Sequence, residues 1–153
     1  MFTIFSAPLL AQVVAPHQET DAGLKTNEPE KQDSVNLAAA AIEANRAAQD
    51  YVELLDKHQY AESWTRGAQL FRKTISQGEW VQALQAARGR LGAMKSRTLK
   101  DERIAWDPIK LPKGAYMVVE FDTSFERAPQ SGELLTLMQE KDGSWKVLTY
   151  QVN

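Results

Sequence analysis

At 153 residues, with 43% apolar and 25% charged side chains, the chain has the size and composition of one globular domain around a single core. Its net charge of −2 is unevenly placed: residues 16–33 hold five acids against two lysines, while 34–153 hold fifteen acids against sixteen bases. That near-neutral domain excludes nucleic acid as a partner, which demands a strongly basic face, and the lack of cysteine excludes disulfides, thiolate catalysis and thiolate metal sites.

The first fifteen residues, MFTIFSAPLLAQVVA, are apolar and uncharged. They are too few to span a bilayer, which takes about 20 residues, but suit the core of a signal peptide with small residues at Ala11 and Ala15. Export to the periplasm or the medium is the expectation, although no positive residue precedes the apolar core. Residues 16–33, PHQETDAGLKTNEPEKQD, are polar and acidic, with too little apolar surface to offset the entropy of ordering, and read as a disordered linker.

The domain is expected over 34–153, with Ser34 as the N-cap of a helix. Leu37, Ala41, Ala44, Ala48, Tyr51, Val52 and Leu55 recur at spacings of three and four and form one apolar stripe. A second helix is predicted in QYAESWTRGAQLFRKTI, with Tyr60, Trp64, Ala68 (or Gly67), Phe71 and Ile75 inward. Ser76 and Glu79 have capping-box spacing for a third, whose inward face is Trp80, Leu84, Ala87 and Leu91 and whose close is Gly92. The period then changes to alternation. AMKSRTLKDERIAW reads as a polar strand and DPIKLPKG as a connection. AYMVVEFDTSF is a strand with Met117, Val119, Phe121, Thr123 and Phe125 on one face and Tyr116, Val118, Glu120 and Asp122 on the other. ERAPQSG reads as a loop, ELLTLMQE as a third strand, Asp142-Gly143 as a hairpin turn and WKVLTYQV as a fourth strand. The expectation is an α+β fold: three N-terminal helices packed on one face of a four-stranded antiparallel curved sheet.

YAESW, W…ALQAARGRLG, SRTL, Y…VEFDTSF, ELLTLMQEKDGSWKV and the terminal TY together resemble the bacterial domain of unknown function numbered 4019. The resemblance runs from about Ala38 to Val152, and its order and spacing are fairly specific. It implies a cone similar to the NTF2-like or cystatin-like folds and a protein that is usually exported; it implies no activity. The chain departs from the family in its uncharged leader start and in DPIKLPKG before the second strand.

The chemistry on offer is sparse. Arg88 follows the stripe position Ala87 and stands beside the core. Arg97 lies on the first strand. A part-buried guanidinium needs a carboxylate, and Glu133 at the start of the third strand is the expected one. Arg88, Arg97 and Glu133 therefore form a candidate cluster, either structural or anion-binding. Arg90, in the last turn of its helix, needs no more than the helix dipole to explain it. Glu120 and Asp122 have the spacing of an acid–base pair but sit on the less apolar strand face. His17 and His58 lack acids at ligand spacing, so no metal and no cofactor is expected. Trp106, Tyr116, Val118 and Glu120 mark an open sheet face for a protein or small-molecule partner, or for a second copy in a homodimer. A non-enzymatic binding or interaction module is the favoured reading, and a cone-pocket enzyme with a carboxylate base is the alternative.

Overall fold

The computed structural model describes residues 29–153; the expected leader and residues 16–28 of the expected linker lie outside the described residues. Four helices precede four strands: α1 Pro29–Asp56, α2 Tyr60–Arg66, α3 Gln69–Thr74, α4 Gln77–Leu91, β1 Met94–Trp106, β2 Ala115–Phe125, β3 Ala128–Gln139 and β4 Trp145–Val152. The strands form one antiparallel sheet in the order β1-β2-β3-β4, and the helices cover one face of it. Bulges at Met94/Ser96, Leu99/Asp101, Thr123/Phe125 and Thr136/Leu137 interrupt the ladders and bend the sheet.

Three expectations are corrected. α1 starts at Pro29, so residues 29–33 belong to it and Ser34 lies inside the helix rather than capping it. Proline is favoured at a first helical position, so Pro29 suits that start. The single helix expected over 59–75 is two. Its break falls at Gly67 and Ala68, both in extended conformation, and Ala68 N–H donates to Val147 O of β4 at 2.8 Å. A Cβ on Gly67 would lie 2.4 Å from the Phe71 ring, so only glycine lets α3 turn back this closely. The loop expected over 126–132 is a short turn at Glu126 and Arg127, and β3 begins at Ala128. That turn is docked on the end of α4: Glu126 N–H reaches Ala93 O at 2.8 Å and Arg127 N–H reaches Leu91 O at 2.9 Å.

The other boundaries follow the sequence pattern. Ser76 and Glu79 form the capping box of α4, and Gly92 closes the helix at φ 77, a conformation that favours glycine. β2 alternates as expected, with Met117, Val119, Phe121, Thr123 and Phe125 buried under the helices. Trp80 and Leu84 of α4, Leu55 of α1 and Tyr150 of β4 fill the space between the layers, and the Trp80 indole N–H donates to Ser63 Oγ at 2.9 Å. Burying such side chains is worth about 1.5–3 kcal/mol each and is the main term holding helices to sheet.

Candidate functional site

Beneath the C-terminal ends of α1 and α4, four charged side chains and two hydroxyls meet. The local sequence explains each placement. Arg88 follows Ala87 on α4 and is 4% exposed, so its chain runs inward along the core. Asp56 lies one helical repeat beyond Val52, which carries the inward stripe of α1 to its last residue. Arg97 pairs with Thr123 across β1 and β2, and Glu133 pairs with Phe121 across β2 and β3, so all three strands offer side chains to the helix-covered face.

Glu133 is fully buried, and its carboxylate accepts four hydrogen bonds. Oε1 takes Arg88 Nη1 at 2.9 Å and the Tyr150 hydroxyl at 2.6 Å; Oε2 takes Arg97 Nε at 2.6 Å and the Thr123 hydroxyl at 2.7 Å. A carboxylate has about four acceptor sites, so none is left for a further donor. Asp56 closes the other side: it accepts from Arg88 Nη2, and from Arg97 Nη1 and Nη2 at 2.7 and 2.9 Å in a two-pronged pair. The guanidinium of Arg88 lies 5.1 Å from the Phe125 ring centre and that of Arg97 lies 5.9 Å from Phe121. Two cations meet two anions, so the cluster is neutral as a whole.

Burial opposes the charge on both arginines. For Arg88 the fields of Tyr150, Glu133 and Asp56 outweigh it, and for Arg97 the hydrogen bonds to Asp56 and Glu133 do, so both guanidinium pKa values rise. Burial also drives the Tyr150 hydroxyl well above its ordinary value, with the Glu133 charge adding to the rise. Both arginines therefore stay charged and Tyr150 stays protonated at neutral pH.

The structure thus brings together Arg88, Arg97 and Glu133, the three residues singled out from the sequence. It adds three that the sequence did not place in that cluster: Asp56, Thr123 and Tyr150. Asp56 stands at a helix end beside His58, but its spacing from Val52 is the sequence signal that it points inward. Thr123 already stood on the apolar face of β2 as its one hydroxyl. Arg90 is exposed, and Arg127 reaches the last carbonyls of α4: its guanidinium donates to Arg90 O at 3.0 Å and to Gly89 O.

The four residues expected on the open sheet face do not form one surface. Trp106 is 63% exposed, and Val118 and Glu120 are half-buried. Tyr116 is 2% exposed and is not available to a partner: the 107–114 loop folds back over it, and its hydroxyl donates to Pro112 O at 2.8 Å. Glu120 accepts from Lys100 at 2.7 Å, with Asp122 at 3.8 Å from the same ammonium group, in a polar groove of about 530 Å³ on the uncovered face. Both acids are thus in a wet, charge-paired setting rather than a dry pocket. Among the described residues there is no cluster of three or more potential metal-ligating acids and histidines.

No curated relative matches the chain. The family described as "Protein of unknown function (DUF4019)" matches residues 47–150, a span that includes every member of the buried cluster. With two thirds of its length matched, from the middle of α1 to the penultimate residues of β4, the chain belongs to the DUF4019 family.

Proposed function

We propose that the protein is an exported, non-enzymatic binding or interaction module of bacterial origin, built on an NTF2-like or cystatin-like cone. The observation that carries the non-enzymatic part is the closure of the Arg88–Asp56–Arg97–Glu133 cluster. Every acceptor on Glu133 is used within the chain and the charges cancel, so the group that most resembles a site has no valence left for a substrate. Phe71, Trp80, Phe121 and Tyr150 fill the space where a cone-pocket enzyme would hold its substrate. Glu120 and Asp122, the acids of the enzymatic alternative besides Glu133, sit on Lys100 in an open groove. Export is supported by the apolar, uncharged run at residues 1–15.

Thermal unfolding with and without phosphate, sulfate and citrate tests the reading. Small anions should leave the midpoint of the wild type unchanged beyond a general salt effect, because binding to the native state alone must raise it. A saturable rise that Arg97→Met abolishes would turn the cluster into an anion site and overturn the structural assignment.

A further inference from the structure

The end of the molecule opposite the charge cluster has the reverse character. Four of its large apolar side chains face water: Leu37 at 42%, Ile42 at 68%, Trp106 at 63% and Ile109 at 81% exposure. That they share one end follows from how α1 lies on the sheet. Asp56 binds Arg97 and Asn45 binds Glu102 (2.6 Å), so α1 runs antiparallel to β1. The helix from Asn45 to Asp56 and the strand from Arg97 to Glu102 each cover about 16 Å. Continuing by about 12–13 Å brings Leu37 level with Trp106. Asn36, Ala39 and Ala40 line the same groove as Gly143, Ser144 and Trp145, which puts the β3–β4 turn at this end too.

The most exposed part, residues 107–114, is a pre-shaped loop. Asp107 N–H donates to Gly114 O at 2.9 Å, Gly114 N–H to the Asp107 carboxylate at 2.7 Å, and Leu111 N–H to Pro108 O at 3.2 Å. Asp107 and Lys110 are held at φ 45 and φ 68, in a region that side chains disfavour, so Ile109 projects from a constrained tip. The charges around it are sorted. Asp107, Glu140 and Asp142 each accept from a backbone N–H, of Gly114, Gln69 and Ser144 respectively. The exposed Lys110, Lys113 and Lys141 have no acidic partner among the described residues.

We propose that this end docks on a lipid surface carrying anionic headgroups, with Trp106 and Ile109 entering the interface and Lys110 and Lys113 meeting the lipid phosphates. Within residues 107–114 two exposed lysines outnumber the one aspartate, and an apolar tip flanked by such lysines suits an anionic interface. No helix among the described residues is long and apolar enough to cross a membrane, so the contact is peripheral. The proposal rests on the binding-module reading and names its partner.

The test is sedimentation of the full chain with phosphatidylcholine vesicles, with and without phosphatidylglycerol. Pelleting should require the anionic lipid and should be lost between about 0.1 M and about 1 M salt, as screening shortens from about 10 Å to about 3 Å. Lys110→Gln with Lys113→Gln should weaken it by roughly tenfold or more. Trp106→Ser with Ile109→Ser should abolish it, with far-UV circular dichroism unchanged. Brominated acyl chains should quench wild-type fluorescence, since Trp106 is the exposed tryptophan. No pelleting, equal binding to neutral vesicles, or undiminished binding of the Trp106/Ile109 variant would each overturn the proposal. Self-association that the Trp106/Ile109 variant removes would overturn it in favour of a second copy. All of these outcomes leave the non-enzymatic reading standing; that reading falls instead to a saturable anion effect at Arg97.

Discussion

The two ends of this small sheet break opposite rules of burial. At one end, two arginines, an aspartate and a glutamate lie beneath the helices; at the other, a tryptophan and an isoleucine stand in water. Buried charges are costly unless paired, and here the pairing is complete within the chain: each carboxylate oxygen has its donors and the aromatic rings of Phe121 and Phe125 cover the guanidinium planes. Exposed apolar groups are also unfavourable, and nothing among the described residues covers Ile109. The difference teaches where to look for function. An exception that is compensated inside the fold is architecture, and one that is not compensated inside the fold invites compensation from outside it.

The sharpest way to break this comparison is to remove one member of the buried cluster. Glu133→Gln strands two arginines against a single aspartate and should cost about 3–5 kcal/mol in urea unfolding. Arg88→Met should fall in the same range, because Glu133 and Asp56 then lose one of the two donors they share. The combination Arg88→Met with Glu133→Leu leaves the neutral Arg97–Asp56 pair and should cost less than the two single losses added. Neutral single changes would show the cluster is held at no benefit to the fold, which is how a binding site behaves.

A smaller effect, dependent on pH, comes from Tyr150. Burial, then Glu133, raises its folded pKa above the unfolded value of about 10. A raised folded pKa gives stability that is fully present below the unfolded value and is lost as pH climbs toward the folded one. Wild-type stability should therefore decline above about pH 10, by up to about 1.4 kcal/mol per pH unit for each such tyrosine. Tyr51, also buried and shifted up, contributes a slope of the same sign. Tyr150→Phe should remove one tyrosine's share of that slope while lowering stability at neutral pH through its lost hydrogen bonds to Glu133 and Arg88. An unchanged slope would mean that Tyr150 ionises as easily folded as unfolded.

How far these features could be read from the sequence depends on how local their causes are. β2 and β4 alternate so clearly that their limits match the expected ones, and the Ser76–Glu79 box needs only its own turn. Arg88, Arg97 and Glu133 were legible because a charge beside an apolar stripe must find an opposite charge. The break at Gly67 was not, because the residues on both sides are good helix formers and the decisive hydrogen bond comes from Val147, far along the chain. β3 was expected to begin five residues later than it does, since Pro129 and Gly132 read as loop. In the fold, β4 ends at Val152 opposite Glu133, so Pro129 lies beyond its reach and costs no ladder bond on that side. Tyr116 was placed on the correct strand face, but a loop that folds back over its own strand leaves no periodic trace.

The smallest effect on stability is expected from Trp106→Ser combined with Ile109→Ser. Side chains that are 63% and 81% exposed bury little apolar surface, and Asp107, Gly114 and Pro108 hold the loop through groups that neither change touches. Urea unfolding should shift by no more than about 0.5 kcal/mol, in contrast to the severalfold larger loss at Glu133. A loss above about 1 kcal/mol would mean that the tip packs on the protein itself, and the contrast between the two ends would fail. A neutral result leaves the fold with no use for two large apolar residues on a strained turn. Water would still favour their removal, so the benefit of keeping them has to lie in something they touch.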